Sequence, residues 1–359
     1  MYEFSVPMPF DMGQLDMLAA INKEVEKSKI TCVYNALPVN AVDLCGYEQA
    51  RVRNSRINCF EDMLPLIEHS KELGFNFVYL INSPDTFDGA QFEQNKEKLN
   101  ALCEKLLKYG VGDVRVASTY LIEYLQKNYS EIKVRCSTSM EYTSIKQYNN
   151  LLEMYDNIIE VVPSWEETKN FKFLENFHKL HPDIIVEMMV NEGCLPGCPF
   201  RVYHSLMKGH RYENEMFFKR RCDKAIFENL GRTVFMSNII LPWDVPAYEK
   251  YGINHFKLVG RNAPPEFMKG AYGDVYRDYL LAVDDVKNVW EKPFFEFNHY
   301  VLTNPHYKDV KVKDVYEYLP DITYFENKKV NCHDECGAGC NYCEVNSRKL
   351  NEILNAKKV

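Results

Sequence analysis

The chain has 359 residues, 46% hydrophobic and 13% aromatic, enough to bury one large core with an appendage. The opening MYEFSVPMPFDMG lacks the basic and apolar regions of a signal peptide, and no apolar run reaches the roughly 18 residues of a membrane span. We therefore expect a cytoplasmic globular protein that contacts no membrane. The formal charge of −8 disfavours nucleic acid as a partner.

Short β-branched and aromatic runs alternate with longer helical patterns, which is typical of repeated βα units. Helical spacing in FEDMLPLIEHSKELG and FEQNKEKLNALCEKLLKYG ends each time at a glycine suited to a helix C-terminus. The alternative fold is an open doubly wound sheet, but no glycine-rich phosphate loop follows an early strand. The predicted strands are 31–37, 75–82, 113–118, 133–138, 157–162, 183–190, 233–241 and 255–260.

These eight strands predict an α/β fold, a (β/α)8 barrel of the TIM type. Such a barrel takes about 250 residues, so we expect the rest of the chain to form a separate segment. We expect the barrel over residues 1–290 and a C-terminal, cysteine-rich extension over 291–359.

A loop punctuated by glycine and proline follows the predicted sixth strand and carries cysteines. It reads VNEGCLPGCPFRVYHSL and supplies Cys194 and Cys198, with Cys222 further along in FFKRRCDK. Thiolates on such a loop can converge on a metal without opposing helical geometry. In a barrel this loop lies at the C-terminal face, where active sites occur. We expect these cysteines to bind an iron–sulfur cluster; the alternative is three buried or incidental thiols.

A second group, CHDECGAGCNYCE, contains Cys332, Cys336, Cys340 and Cys343. Four thiols at this density indicate tetrathiolate binding of a metal, either zinc or an iron–sulfur cluster. Zinc usually takes paired C-x2-C knuckles, so the observed spacing favours a cluster, and a structural zinc is the alternative. Its C-x3-C-x2-C part also matches radical S-adenosylmethionine enzymes, but those enzymes place the motif before their barrel. One or two [4Fe–4S] clusters are therefore expected.

The remaining five cysteines divide into two sets. Three of them, Cys32, Cys59 and Cys103, lie in apolar strand or helix patterns that predict core positions. Cys45 and Cys136 follow or end predicted strands, and either is a candidate fourth ligand of the first cluster. The alternative is a three-cysteine cluster whose open iron binds substrate or a ligand such as His204.

The EGCLPGCPFR loop, the later Cys222 and the closing strand HFKLVGR resemble the peptidase U32 (collagenase-like) family. That family has a Lys-Ile-Glu-Gly-Arg motif in its last strand and a downstream Tyr-Arg pair. Lys257, Gly260 and Arg261 match the motif, while Val259 replaces its glutamate. GDVYRDYL supplies the pair as Tyr276 and Arg277.

The resemblance implies a [4Fe–4S] cluster and oxygen-independent hydroxylation, because better-understood relatives hydroxylate ubiquinone precursors or RNA bases in this way. The missing glutamate and the C-terminal cysteines depart from the family pattern and leave the substrate open. Neither a nucleophile–His–carboxylate arrangement nor an HExxH helix is recognisable in the sequence, so the family's peptidase label has little chemical support here.

Polar residues at predicted strand ends are candidates for a substrate pocket. We expect Lys257, Arg261 and Glu187 to act in catalysis, and Arg201 or Arg261 to pair with a substrate carboxylate. For each of them the alternative is an ordinary structural contact. The other strand-end candidates are Asn35, Asn82, Thr138 and Asn191.

Three functions remain after these arguments. The first is an iron–sulfur enzyme acting on a small metabolite or peptide intermediate, by oxygen-independent hydroxylation or related redox chemistry. The second is a protease of the collagenase-like type. The third is a non-catalytic, cluster-binding subunit that passes electrons to a protein partner.

Overall fold

The computed structural model describes residues 1–49, 54–84, 89–210, 222, 224–226, 228–260, 272–297, 307, 309–328, 332 and 335–357. Within these parts of the chain, no helix has the length and apolar character needed to cross a bilayer.

Eight parallel strands form a closed barrel in which each strand pairs with its neighbours in chain order and β8 pairs with β1. The predicted (β/α)8 fold is confirmed. Residues facing the barrel interior alternate with apolar residues that face the surrounding helices, as the two-residue period of a strand requires. The strands are β1 Tyr2–Pro7, β2 Ser28–Asn35, β3 Asn76–Ile81, β4 Asp113–Val116, β5 Lys133–Cys136, β6 Ile158–Val161, β7 Ile185–Met189 and β8 His255–Lys257.

The predicted number of strands is right, but one observed strand was not predicted and one predicted strand is not observed. The first strand, β1, was not predicted, so the cysteine loop predicted to follow the sixth strand follows the seventh. The predicted strand over 233–241 is wrong, because Leu230–Met236 is a helix. Asn229 caps that helix by accepting a hydrogen bond from Arg232 N at 3.1 Å. Its β-branched residues fit the helix because they are buried there, so tertiary packing overrides their strand preference.

Helices surround the barrel and follow its strands. The two predicted helices end as expected, since Gly74 and Gly110 both have positive φ angles just beyond them. The helices are α1 Met12–Ile21, α2 Phe60–Glu72, α3 Gly89–Lys108, α4 Thr119–Asn128, α5 Ile145–Met154, α6 Phe171–Leu180, α7 Arg201–His210, α8 Leu230–Met236, α9 Tyr272–Asp284, α10 Val312–Val315, α11 Ile322–Asn327 and α12 Tyr342–Ala356.

The C-terminal helix α12 packs against α8 of the barrel. Asn351 joins the two helices, accepting a hydrogen bond from Gly231 N at 2.7 Å and donating one to Asn229 at 2.8 Å. A Cβ atom at position 231 would lie 2.9 Å from the carbonyl oxygen of Ser347, so only glycine permits this approach. The extension is thus held against the barrel, and its boundary at residue 290 stays a prediction.

Candidate functional site

The first cysteine loop lies at the C-terminal end of β7, at the face of the barrel where active sites occur. Cys194, Cys198 and Cys222 are all half-buried and free of disulfides. Gly197 adopts a left-handed conformation with φ of 62°, and its N–H donates to Glu166 Oε1 at 3.0 Å. Glu166 therefore fixes the middle of the loop between the first two cysteines.

Arg201 begins helix α7 directly after this loop. Its Nε donates to Glu141 Oε1 at 2.6 Å, and Ser164 donates to the other carboxylate oxygen of Glu141 at 2.7 Å. Burial opposes the charge on Arg201, but the nearby thiolate of Cys194 and the carboxylates of Glu141 and Glu192 outweigh it and raise its pKa. The structure thus places a buried guanidinium beside the first cysteine, where it favours the thiolate form that binds metal.

Three of the C-terminal cysteines, Cys336, Cys340 and Cys343, lie on a tight turn and the first turn of α12. Gly337, with φ of 80°, donates from its N–H to the carbonyl of Cys340 at 2.9 Å. Cys343 is half-buried at the start of the helix. Cys336 is exposed and Cys340 is half-buried, so this turn lies at the protein surface.

Tyrosine and lysine side chains surround this second group. Tyr324 O–H lies 3.3 Å from Cys340 Sγ, and Lys328 Nζ donates to Cys332 Sγ at 2.8 Å. Burial raises the pKa of the Cys343 thiol to about 11, with Lys169 opposing the rise and the other three cysteines adding to it. The other three predicted ligands therefore lie close enough to Cys343 for their charges to shift its pKa.

A short segment after β6 connects the two cysteine groups. Glu166 binds the first loop through Gly197, and Lys169, three residues later, lies beside Cys343 and Cys332 of the second group. The amine of Lys169 is buried and donates to the carbonyl of Ser237 at 2.6 Å. Burial lowers the pKa of Lys169 to about 8, while Asp244 and the cysteines partly restore it. Both groups thus lie at the same face of the barrel.

The spacing of the thiols bears on the metal that they fit. A tetrahedral zinc with Zn–S bonds of about 2.3 Å holds its sulfurs about 3.8 Å apart. In the described part of the chain, one group of three histidine, cysteine, aspartate or glutamate side chains has its ligand atoms within 4.8 Å of one another. Its members are Asp43, Cys59 and Glu61. The two carboxylates of that group already pair with Lys105 at 2.8 and 2.9 Å. None of the seven candidate cysteines belongs to that group, and the kind of metal that they bind stays a prediction.

The candidate fourth ligands are both fully buried. Cys45 lies against Glu48, whose carboxylate accepts hydrogen bonds from the Cys45 N–H at 3.2 Å and from Tyr79 at 3.1 Å. Cys136 follows Arg135 in β5 and, by strand alternation, faces the helices and not the barrel interior. Burial raises the pKa of the Cys136 thiol to about 12 and that of the Cys45 thiol well above its usual range. His204 lies in α7, one turn after the loop.

The three cysteines predicted to be core are not all buried. Cys32 and Cys103 are, as predicted. Cys59 is half-buried and precedes the first turn of α2, so its prediction as a core residue is wrong.

A buried network of charges fills the barrel interior. Arg115 Nη2 lies 2.6 Å from Glu160 Oε1 and 2.8 Å from Glu187 Oε2, and Ser5 donates to Glu187 Oε1 at 2.5 Å. Lys257 Nζ lies 3.8 Å from the same Oε2 of Glu187. The structure therefore brings together two of the predicted catalytic residues, Lys257 and Glu187.

The network shifts the pKa values of its members in different directions. Burial alone would raise the pKa of Glu187, but Arg115 and Lys257 outweigh it and lower the value to about 2. Burial, reinforced by Arg115, lowers the pKa of Lys257 to about 7. Burial raises the pKa of Glu160, with Glu187 adding to the effect. Lys257 is thus able to exchange a proton near neutral pH, which general acid–base chemistry requires.

The other predicted pocket residues have varied positions. Asn191 joins β7 to the end of β8, accepting from Val259 N at 2.7 Å. Asn35 and Thr138 donate to the backbone carbonyls of Met8 and Pro163, so both hold strand ends in place. Arg261 lies outside the described residues. Arg277 of the resembling Tyr-Arg pair is exposed and binds Glu24 at 2.6 Å, away from the barrel interior.

Sequence reasoning did not single out Arg115, Glu160, Glu166 or Lys169. A signal for the first two was present, since a charged residue lies between two valines in DVRV and between isoleucine and valine in IIEV. Such a residue faces either solvent or a paired partner in the barrel interior, and only the closed sheet decides which.

No family model matches the chain. The chain is 22% identical over 290 residues to the uncharacterized protease MJ1657 of Methanocaldococcus jannaschii, covering 75% of this chain and 80% of that protein. The U32 peptidase Mk0906 has a similar solved structure, with a TM-score of 0.47, 12% identity and coverage of 74% of this chain and 94% of the other. The resemblance of its motifs to the peptidase U32 family is thus accompanied by similarity to a protein named as a protease and to a solved U32 peptidase.

A solved enzyme of another activity is also similar to this chain. A GH113 beta-1,4-mannanase aligns with a TM-score of 0.37 and 13% identity, covering 78% of this chain and 98% of the mannanase chain. The barrel assignment of this chain rests on its own closed strand order.

Proposed function

We propose that this U32 relative is an iron–sulfur enzyme acting on a small metabolite or peptide intermediate in the cytoplasm, by oxygen-independent hydroxylation or a related redox step. The observation that supports the proposal is the position of both cysteine groups at the C-terminal face of one barrel, on either side of the segment that carries Glu166 and Lys169. Active sites of this fold lie at that face.

In this proposal Cys194, Cys198 and Cys222 hold a [4Fe–4S] cluster, and Cys332, Cys336, Cys340 and Cys343 hold a second cluster or a zinc ion. A bound cluster supplies single-electron transfer. Arg201 keeps Cys194 as a thiolate, and Lys169 and Lys328 place positive charge beside the second group.

The barrel interior supplies the remaining chemistry. Lys257 gives or takes a proton, and Glu187 holds its ammonium group within 3.8 Å. Arg261, at the end of the same strand motif, is proposed to bind an anionic group of the substrate. These three residues form the proposed catalytic set.

Metal content tests the proposal. Anaerobically prepared and reconstituted protein is expected to be brown, to contain iron and acid-labile sulfide in equal amounts, and to give an electron paramagnetic resonance signal after reduction. Cys194→Ala, Cys198→Ala or Cys222→Ala should remove one signal, and Cys340→Ala or Cys343→Ala the other. Cys59→Ala, which removes a thiol outside both groups, is the matched control and should keep both.

Four outcomes contradict or change this proposal. Colourless protein with one zinc and no sulfide contradicts the iron–sulfur proposal. Parallel loss of one single cluster in both sets of variants shows that the groups share a site. Hydrolysis of casein or denatured collagen by metal-stripped protein supports a protease, the activity that the name of the archaeal relative states. A stable complex with a protein partner, without turnover by the isolated chain, supports an electron-transfer subunit.

A further inference from the structure

Arg115 has more hydrogen-bond donors than the barrel interior satisfies. Its side chain is 2% exposed, and both of its ion pairs use Nη2. Nε and Nη1 have no hydrogen-bond partner among the described residues. These two atoms carry three of the five guanidinium N–H groups. Since an unsatisfied buried donor costs about 1–3 kcal/mol, an acceptor beyond the described residues is expected beside them.

The layer above Arg115 is made of small or unpaired side chains. Arg115 aligns with Leu80 of β3 and with Arg135 of β5, so the next residues on the inner face are Asn82, Ala117 and Ser137. The hydrogen bond from Ser137 N to Val116 O at 2.7 Å continues the ladder to this level. Asn82 Oδ1 is buried and, within the described chain, without a partner. Ala117 and Ser137 are small, so on β4 and β5 little side-chain volume lies at the level above Arg115.

Lys257 adds a second cation to the same space. Its Nζ and Arg115 Nη2 both approach Oε2 of Glu187, at 3.8 and 2.8 Å, and its Nζ also lies 3.7 Å from the centre of the Tyr34 ring. The charged or titratable groups around Lys257 are Glu187 on β7, Glu160 on β6, Arg115 on β4, and Cys32 and Tyr34 on β2. Arg135 on β5 pairs with Glu160 and with the partly exposed Asp113. Among the two fully buried carboxylates, Glu160 and Glu187, and these two arginines, no cation is free while Lys257 is neutral. A protonated Lys257 supplies the positive charge that an added anion needs.

We propose that the upper interior of the barrel binds a small carboxylate, which accepts hydrogen bonds from the free N–H groups of Arg115 and whose charge is balanced by proton uptake at Lys257. This site goes beyond the cysteine chemistry and holds whether or not the cysteines bind clusters. A carboxylate suits it because a planar, singly charged group needs only one added proton for balance, whereas a phosphate brings more charge into a closed space that already contains two carboxylates.

Proton uptake makes binding depend on pH. Burial lowers the pKa of Lys257 in the free protein to about 7, so above neutral pH the amine is neutral and must gain a proton when the anion binds. Linkage then requires the affinity to fall as pH rises, by roughly tenfold or more between pH 6.5 and pH 8.5. Calorimetry in buffers of different ionisation enthalpy measures the proton uptake directly.

The probes are acetate and its neutral isostere acetamide, titrated into the full chain and followed by saturation-transfer NMR. Acetate is expected to bind with the stated pH dependence, and acetamide to bind at least tenfold more weakly. Equal binding of the two probes, binding of neither, or stronger binding of inorganic phosphate overturns the proposal.

Variants locate the site without removing Arg115, whose loss would take one ion pair from each of two buried carboxylates. Ala117→Leu fills the layer above Arg115 and should abolish acetate binding while the melting temperature holds. Lys257→Met should abolish both binding and proton uptake. Lys179→Met, which removes an exposed amine paired with Glu175, is the matched control and should change neither. A large loss of stability in Ala117→Leu, with acetate binding unchanged in Lys257→Met, shows a packed interior and overturns the proposal.

Discussion

Lys169 donates a hydrogen bond from its buried amine to the carbonyl oxygen of Ser237 at 2.6 Å. This bond ties the segment after β6 to the chain that leaves helix α8, and the same amine lies beside Cys343 and 4.7 Å from the ring of Phe325. A single cation thus connects the barrel with the cysteine-rich end of the chain.

Replacing Lys169 by Met tests this connection. The variant loses the hydrogen bond and leaves the Ser237 carbonyl unsatisfied, so unfolding free energy should fall by about 1–3 kcal/mol. Chemical denaturation under anaerobic conditions measures it. Lys179→Met is the control, because an exposed ion pair of this kind contributes only about 0.5 kcal/mol. A Lys169→Met variant as stable as the control contradicts the structural importance of this bond.

Glu166 should protect the first cysteine loop from exchange with solvent. Its two carboxylate oxygens accept from Gly197 N and from Asn238 Nδ2, each at 3.0 Å. In Glu166→Ala the Gly197 amide loses its acceptor, so we expect its hydrogen exchange to quicken by tenfold or more. Mass spectrometry of the peptide over 192–200 measures the rate. Glu175→Ala removes an exposed carboxylate and should leave this peptide unchanged.

Arg201 should keep Cys194 reactive. Its guanidinium charge favours the nearby thiolate, and thiolates, not thiols, are alkylated. Arg201→Met should therefore slow the reaction of Cys194 with iodoacetamide in metal-free protein, by severalfold at pH 8. Peptide mapping separates Cys194 from the other cysteines, and Cys340 provides the internal control. Equal rates in the variant and the natural protein contradict an electrostatic role for Arg201.

Glu187 should make the protein sensitive to acid. Its pKa is lowered to about 2 in the folded state, against 4.5 ordinarily. A lowered folded pKa means that the stabilisation is present above pH 4.5 and is lost as pH falls from 4.5 toward 2. The loss is on the order of 3 kcal/mol.

Urea unfolding at pH 5.5, 4.5, 3.5 and 2.5 measures this dependence. Glu187→Gln is expected to be less stable at pH 5.5, because Arg115 and Lys257 lose their partner, and to have a flatter profile below pH 4.5. Glu160→Gln is the comparison, since the pKa of Glu160 is raised by burial and its removal should not flatten the profile in the same way. Parallel profiles for Glu187→Gln and the natural protein contradict the assignment.

The sequence by itself determined the barrel and both cysteine groups. Repeating strand and helix periods are local, and cysteine spacing is read directly from the chain, so neither depends on distant contacts. The same local reasoning failed at 233–241, where β-branched residues belong to a helix buried under α12. It also missed β1, whose pairing with both β2 and β8 is what closes the barrel.

Tertiary structure alone decided which charges face inward and which residues meet. Arg115, Glu160, Glu187 and Lys257 come from four different strands, and their ion pairs exist only because the closed sheet turns their side chains toward one axis. Lys169 and Cys343 are far apart in sequence and meet because α12 packs on α8 beside the end of β6. Local periodicity sets which face of a strand a residue occupies, but the closure of the barrel sets what that face meets.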